Sequence, residues 1–298
     1  MFSARRFRSL AVIGTLGVMP LAACGAPGTV GPVQQTGTAT PGSAASAASP
    51  APRFPAPTDV SNPMFPLLPG TQLEYRGKIV EAGAAEPHSV VFTVTDLTKM
   101  VNGVRTVVAW DQDFLRGELQ EQELAFFAQD DGGNVWNFGE YPEEYQDGKF
   151  TGAPSTWIRG TSGAYGGRHM LVRPRVGAQY VEGRIPAIDF YDVSRISRVG
   201  HATCVPSGCY RRVLVVTEWS PGDPKGGQQI KYYTPGVGLV RVGAHGGDSQ
   251  EFLGLHAVRR LSRSALAEVR SAALTMDRRA YRISGVYRVT GPAVCCHR

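Results

Sequence analysis

The sequence LAFFAQDDGGNVWNFGE, residues 124–140, carries the clearest indication of the fold class. Two runs rich in apolar and aromatic residues, 122–129 and 135–140, are separated by a short segment of Asp, Gly and Asn. These residue types form tight turns, and short runs bounded by them are typical of antiparallel strands. The stretch therefore predicts a β-hairpin.

Runs of the same kind occur on both sides of this hairpin. The other predicted strands cover residues 72–80, 89–95, 104–110, 180–184, 192–199, 211–219, 229–234 and 237–243. Asn102-Gly103 lies between two of them and favours a two-residue turn, because both residues tolerate a positive φ. Strands do not alternate with helices as they do in parallel sheets. We predict a mainly β fold, an antiparallel curved sheet or half-barrel.

One segment, residues 261–281, has the spacing of a helix. Its apolar residues recur at steps of three and four and form one stripe: Leu266, Val269, Ala273, Met276 and Ala280. Ser264 is the predicted N-cap. We therefore expect one C-terminal helix that packs on the sheet.

The first 23 residues have the pattern of a lipoprotein signal peptide. Arg5, Arg6 and Arg8 precede an apolar run that is too short to span a membrane. The run ends in Leu-Ala-Ala before Cys24, which matches the bacterial lipobox. We predict cleavage before Cys24, acylation of its thiol by fatty acids such as palmitate, and a lipid anchor on the extracytoplasmic side of a bacterial membrane. The paired arginines suggest twin-arginine export, but that motif is incomplete, so the general route is favoured.

Composition divides the mature chain into three parts. Residues 24–57 are mostly Pro, Ala, Gly, Ser and Thr and predict a disordered stalk. Residues 58–258 contain the predicted strands of a β-rich globular domain. Residues 259–298, a basic C-terminal helix and tail, contain nine arginines but only Glu268 and Asp277 as acidic residues. This end either contacts anionic lipid head groups or forms a solvated helix face, and the second is favoured. Because the basic charge is confined to the two chain ends, no nucleic-acid partner is expected.

Four cysteines remain besides Cys24. Cys204 and Cys209 flank a Val-Pro-Ser-Gly turn between two predicted strands, so we expect a disulfide across that turn. Cys295 and Cys296 are adjacent, and a vicinal bridge, an intermolecular bridge and free thiols all stay open.

Two binding sites are considered at the central hairpin. Trp110, Phe127, Trp136 and Phe138 are candidates to line a pocket for an apolar ligand, although aromatic residues on strands more often form core. The oxygen-bearing side chains of Asp130, Asp131 and Asn134 suit calcium. The same residues also form tight turns, and the bidentate glutamate of an EF-hand is absent, so the turn is favoured.

Catalytic motifs are absent from the sequence. The six histidines lack metal-ligand spacing, and no Gly-x-Ser-x-Gly occurs. We therefore expect no metal, no cofactor and no enzymatic activity. The alternative is a cell-wall or polysaccharide hydrolase that uses two of the numerous acidic residues Glu118, Glu121, Glu123, Glu140, Glu143 and Glu144.

Several fragments resemble a class of exported bacterial proteins with β-sheet domains. They are Phe65-Pro-Leu-Leu-Pro-Gly-Thr71, Asn102-Gly-Val-Arg-Thr-Val-Val108, the segment 127–140 and Tyr232-Tyr-Thr-Pro-Gly-Val-Gly-Leu-Val240. The domain also has weak similarity to the LolA/LppX type of curved sheet, which holds lipid on its concave face. The resemblance implies an envelope lipoprotein that binds an apolar ligand or a protein partner on that face. A structural interaction module is a further alternative.

Overall fold

The computed structural model describes residues 51–223 and 225–295, and within them one antiparallel sheet contains all sixteen strands. In chain order they are β1 (Thr71–Glu81), β2 (Ala84–Val101), β3 (Val104–Leu115), β4 (Glu118–Gln129), β5 (Val135–Gln146), β6 (Lys149–Gly152), β7 (Trp157–Ile158), β8 (Tyr165–Gly166), β9 (Arg168–Met170), β10 (Gln179–Ile185), β11 (Phe190–Val205), β12 (Gly208–Trp219), β13 (Gln228–Thr234), β14 (Gly238–His245), β15 (Ser249–Arg260) and β16 (Val294–Cys295). The helix α1 covers Arg263–Ile283. Single turns of 3-10 helix cover Pro186–Ile188 and Val286–Val289.

The sheet is built from two meanders joined in its middle. Strands β1 to β6 pair with their neighbours in sequence, and β10 to β15 do the same. The pairing of β1 with β15 joins the meanders, and the resulting strand path is not closed. This confirms the predicted mainly β, antiparallel fold with one C-terminal helix.

The two hairpins indicated by the sequence have the expected turns. The register of β4 and β5 places Gln129 opposite Val135, with residues 130–134 as the turn. Between β2 and β3, Asn102 and Gly103 have φ values of 46° and 76°. Both therefore occupy the left-handed region that a two-residue hairpin turn requires.

The sheet curves strongly, so that distant strands share one core. Phe127 on β4 and Tyr233 on β13 both contact the ring of His169, with centroids 5.6 and 6.4 Å apart. Five strands separate β4 from β13 along the sheet. Side chains of this concave face form a single hydrophobic cluster drawn from both meanders.

Residues 165–170 lie between the two ends of the curved sheet. The backbone of Gly167 accepts a hydrogen bond from the N–H of Asn137 on β5 and donates one to the carbonyl of Glu182 on β10. A Cβ atom would lie 2.1 Å from a backbone oxygen at Gly166 and 1.9 Å at Gly167. The glycine-rich sequence of this loop therefore allows a close approach of three backbones.

The convex face of β2 to β5 is covered by α1. Ala273, Met276 and Ala280 are buried against Phe126 and Tyr141 of the sheet. The helix begins after Ser262, whose hydroxyl accepts a hydrogen bond from the N–H of Ala265 at 3.2 Å. The N-cap is therefore Ser262 and not Ser264, as the sequence suggested. The hydroxyl that accepts a hydrogen bond from the free N–H of Ala265 belongs to the residue two positions earlier.

A buried lysine fastens the helix to the sheet. The ammonium of Lys99 on β2 donates hydrogen bonds to Asp277 at 2.7 Å, to Tyr281 Oη at 3.0 Å and to the carbonyl of Gly291 at 2.7 Å. Asp277 also accepts a hydrogen bond from Tyr287 Oη. We call Lys99, Asp277, Tyr281 and Tyr287 the outer lysine cluster.

The segment that precedes β1 lies against the sheet. Phe54 packs on Trp136 and Phe138, with centroids 6.3 and 5.3 Å apart, although residues 24–57 have the composition of a stalk. Farther along, Phe65 and Leu67 are buried in the concave core. The signal peptide, Cys24 and residues 24–50 of the predicted stalk lie outside the described residues.

Candidate functional site

The concave face carries a buried group of ionisable residues beside its apolar core. We call it the inner acidic cluster: Glu140, His169, Glu182, Asp192, Glu218 and Lys231. All but Glu182 are buried, with His169 and Lys231 each 1 % exposed. They come from six strands, β5 and β9 to β13, so the cluster exists only in the folded sheet.

Strand register explains why these side chains meet. Residues directly opposite each other in an antiparallel pair point to the same face. Ser194 lies opposite Glu218, and Val216 lies opposite Lys231. Residues two apart on a strand also share a face, so Asp192 joins Ser194 and Glu218 joins Val216.

Short polar contacts hold several members of the cluster in place. Lys231 Nζ lies 2.5 Å from Glu218 Oε2. Glu182 accepts a hydrogen bond from Ser194 Oγ at 2.6 Å. Glu140 accepts from Asn137 Nδ2 at 2.6 Å and from Trp157 Nε1 at 3.0 Å. These contacts hold the carboxylates of Glu140, Glu182 and Glu218 in place.

The protonation states in this cluster are strongly perturbed. Burial, together with the neighbouring carboxylates Glu182 and Glu218, raises the pKa of Asp192 to about 8. Burial and the nearby Glu182 raise the pKa of Glu218 to about 8 as well. Burial lowers the pKa of Lys231, but Glu218 and Glu182 outweigh burial and raise it above its ordinary value. Four carboxyl groups around one lysine leave an excess of acid, so part of the cluster holds protons at neutral pH.

His169 is the group whose hydrogen-bonding capacity is not used. Neither ring nitrogen has a hydrogen-bond partner among the described residues, although Nδ1 lies 3.7 Å from Glu182 Oε2. Burial and the positive Lys231 lower the pKa of His169 to about 3, so the ring is neutral. Its ring contacts Phe65 edge-on and Phe127 at a tilt, with centroids 4.4 and 5.6 Å apart.

A small cavity lies between the acidic cluster and the apolar core. Its volume is about 20 Å³, and its polar wall consists of His169 and Lys231. The remaining wall is largely apolar and aromatic: Phe65, Pro66, Leu67, Leu73, Tyr75, Phe92, Tyr233, Val237, Gly238 and Leu239. A cavity of this size holds about one water molecule.

A second polar group on the concave face centres on a histidine. His88 on β2 lies with Nε2 2.7 Å from Asp113 Oδ1 on β3 and with Nδ1 3.4 Å from Glu251 Oε1 on β15. The other oxygen of Glu251 accepts a hydrogen bond from Gln229 Nε2 at 2.5 Å. We call His88, Asp113, Gln229 and Glu251 the histidine cluster.

The four aromatic candidates from the sequence do not lie together. Phe127 is part of the concave core. Trp136, Phe138 and the partly buried Trp110 belong to the cluster on the convex face. Alternate residues of a strand point to opposite faces, which separates Phe127 from its neighbours on the hairpin.

The Asp-Gly-Asn turn of that hairpin is held by its own hydrogen bonds. Asp130 accepts hydrogen bonds from the backbone and side chain of Asn134 and from Trp136 Nε1 at 2.8 Å. Asp131 pairs with Arg53 at 3.0 Å. These contacts hold the turn and use both carboxylate oxygens of Asp130.

The cysteines occupy the positions that the sequence suggested for a turn. Cys204 and Cys209 lie opposite each other on β11 and β12 and form a disulfide, with Cα atoms 4.0 Å apart. Cys295 is an exposed free thiol. Cys296 lies outside the described residues.

Sequence reasoning singled out only Glu140 from the inner acidic cluster, and only as one of several acidic residues. Glu182, Asp192, Glu218 and Lys231 were not considered as site residues. One signal was available: Glu218 lies at an inward position of β12, next to the apolar inward residues Leu214 and Val216. A charged residue in such a position must be paired or functional.

In the part of the chain that the structure describes, no helix has the length and apolar character to cross a bilayer.

Comparison with known proteins gives little further information. No family model matches the sequence, and no curated protein matches it. Two solved structures are similar. The first is a protein from Bacteroides fragilis, provisionally assigned as exported and with a YmcC-like fold: identity 12%, TM-score 0.36, coverage 66% of this chain and 98% of that one. The second is a protein from Parabacteroides distasonis, provisionally assigned as a lipoprotein: identity 14%, TM-score 0.30, and the same coverage. At these scores we infer nothing about this chain from them.

Proposed function

We propose that the protein is a lipid-anchored envelope lipoprotein that binds a ligand on the concave face of its sheet. The inner acidic cluster is the observation that carries this proposal. Buried ionisable groups cost folding free energy unless they are well paired, and strongly perturbed groups gathered in one place are typical of functional sites. His169, buried without a hydrogen-bond partner among the described residues, supports a ligand that supplies one.

The chemistry of the face indicates the kind of ligand. Carboxyl groups outnumber Lys231, which favours a cationic or hydrogen-bond-donating group on the ligand. The adjoining aromatic wall favours an apolar portion. Because the cavity holds about one water, a larger apolar group must displace side chains of its wall, such as Phe65 and Leu67.

The lipid anchor is supported by the signal sequence and by Cys24 at the end of its lipobox. Replacement Cys24→Ser, or globomycin treatment of the wild type, should block signal cleavage, and the replacement should abolish labelling by radioactive palmitate. Cys295→Ser is the matched control and should leave both unchanged. Unaltered processing and membrane partitioning of the Cys24→Ser protein would exclude the anchor.

Ligand binding is tested on the full chain purified from membranes in a mild detergent. Native mass spectrometry should show an added mass after incubation with an envelope extract. The double replacement Glu182→Gln and Glu218→Gln should reduce its occupancy at least about tenfold, whereas Glu118→Gln at the exposed start of β4 should not. Circular dichroism confirms that each variant is folded. Absence of any bound mass, or equal occupancy in all variants, would exclude the proposal.

A hydrolase that acts on cell-wall or polysaccharide substrates is the second candidate, and one observation favours it. Asp192 and Glu218 both have a pKa of about 8, as a general acid at neutral pH requires. Incubation of the protein with peptidoglycan and polysaccharides, followed by analysis of released sugars, tests this candidate. Product that disappears with Glu218→Gln would favour catalysis over binding.

A further inference from the structure

The histidine cluster combines three side chains of the types that bind transition metals. The ligand atoms of His88, Asp113 and Glu251 all lie within 4.8 Å of one another. They come from three different strands, β2, β3 and β15, and Gln229 adds a contact from β13. No spacing of histidines in the sequence could therefore reveal this group.

The hydrogen bond at Nε2 fixes the orientation of the imidazole. With a proton on Nε2, His88 donates to Asp113 Oδ1 at 2.7 Å, and the lone pair of Nδ1 is free. In metal-binding histidines, the nitrogen that does not bind the metal commonly donates a hydrogen bond to a carboxylate. This hydrogen bond sets both the tautomer and the basicity of the ring. Asp113 occupies that position here.

The other ring nitrogen is the atom available to a ligand. His88 is 3 % exposed, and Nδ1 has no hydrogen-bond partner among the described residues. It lies 3.4 Å from Glu251 Oε1. Bonds of about 2.0–2.2 Å to a tetrahedral zinc ion place two ligand atoms roughly 3.3 Å apart, which matches this separation.

Glu251 is itself held in place and reachable from solvent. Its second oxygen accepts a hydrogen bond from Gln229, so Oε1 remains directed to His88. The side chains of Asp113 and Glu251 are 25 % and 17 % exposed. The two carboxylates therefore border solvent, which is the source of water to complete the coordination of a bound ion.

We propose that His88 Nδ1 and Glu251 Oε1 bind a divalent transition metal such as Zn²⁺, with Asp113 and Gln229 as the residues that orient these two ligands. An imidazole nitrogen beside a carboxylate selects Zn²⁺ over Mg²⁺ and Ca²⁺, which prefer oxygen ligands. The site does not depend on the proposed ligand at the inner acidic cluster.

Metal binding is measured on the full chain in detergent after treatment with a chelator. Equilibrium dialysis with Zn²⁺ should give one more ion per chain for the wild type than for His88→Gln or Glu251→Gln. Asp113→Asn should weaken binding about tenfold, as expected for a residue that orients a ligand. His256→Gln, at an exposed position of β15, is the matched control. A Cys295→Ser, Cys296→Ser background removes thiol binding.

Two further measurements keep the test decisive if a variant folds poorly. Zn²⁺ should raise the unfolding temperature of the wild type, whereas Mg²⁺ and Ca²⁺ at the same concentration should not. Bound Co²⁺ should give a visible absorption spectrum that His88→Gln lacks. Equal Zn²⁺ binding by the wild type and His88→Gln, or an ¹⁵N NMR spectrum with both nitrogens of His88 protonated when Zn²⁺ is present, would overturn the proposal.

Discussion

The two fully buried lysines of the described chain lie on opposite faces of the sheet and in opposite surroundings. Lys99, in the outer lysine cluster, makes three hydrogen bonds and has one carboxylate, Asp277, beside it. Burial lowers its pKa to about 8 despite the attraction of Asp277. Lys231, in the inner acidic cluster, is surrounded by several carboxyl groups, which raise its pKa.

This difference separates a structural polar cluster from a candidate site. In the outer lysine cluster, each donor of Lys99 has a defined acceptor and the charges balance. In the inner acidic cluster, acid is in excess and His169 has no hydrogen-bond partner within the described residues. A polar cluster whose charges and hydrogen bonds are matched holds secondary-structure elements together. A cluster with unmatched groups reduces stability, and those groups are available to bind or react with a ligand.

The largest effect is expected from Asp277→Ala. It leaves the charge of Lys99 buried without its carboxylate, and it also removes an acceptor from Tyr287. We expect a loss of about 3–5 kcal/mol in the free energy of unfolding. Urea unfolding followed by circular dichroism measures this loss, with the exposed Glu268→Ala on the same helix as a control. A loss similar to that of the control would show that the cluster does not fasten the helix.

The change of the free energy of unfolding with pH should be an intermediate effect, and it should originate from groups on the concave face. The pKa values of Asp192 and Glu218 are about 8 when folded, above the ordinary values of 3.8 and 4.5. The folded state therefore binds more protons than the unfolded state, and stability falls as pH rises toward 8. The lowered pKa of His169 makes stability increase with pH, but only up to about pH 6.5, the ordinary pKa of histidine. The lowered pKa of Lys99 has the same effect only above about pH 8.

We expect a decrease of roughly 1.5 kcal/mol per group between pH 6.5 and 8. Urea unfolding across this interval measures the slope for the wild type and for Glu218→Gln, which should have a smaller slope. Asp277→Asn, on the other face, should leave the slope unchanged. A stability that increases with pH in this interval would contradict the assigned protonation of the inner acidic cluster.

The smallest effect is expected from His169→Phe. The neutral imidazole packs among Phe65, Phe127 and Tyr233, and its nitrogens have no hydrogen-bond partner in the part of the chain described. Removal of unsatisfied buried polar atoms should raise the free energy of unfolding by about 1 kcal/mol while ligand binding decreases. Thermal unfolding and native mass spectrometry measure the two changes. A clear loss of stability would mean that His169 has a structural role.

Much of the fold could be predicted from local patterns, but one central strand could not. The hairpin of β4 and β5 and the turn at Asn102 were indicated by turn-forming residues between apolar runs. Strand β15 was missed, although it joins the two meanders. Its buried residues Leu253 and Leu255 do alternate with exposed or partly exposed ones, but Gly254 and His256 break the apolar run.

The candidate sites were harder to predict, because their residues are far apart in the chain. His88 and Glu251 are separated by most of the domain, and they meet only because β1 and its neighbours bring β2 and β15 together. The four aromatic residues near the hairpin illustrate the opposite error. They are close in sequence, yet the alternation of the strand places Phe127 on one face and Trp136 on the other.

The antiparallel β character, the tight turns and the position of the C-terminal helix follow from local sequence patterns, because each depends on residues within a few positions of one another. The signal pattern before Cys24 is local in the same sense. Which carboxylates surround Lys231 and which acids face His88 depend on the folded sheet. Strand register and the curvature of the whole sheet determine those neighbours. Burial then shifts the pKa values of these groups, and no short sequence pattern encodes the size of that shift.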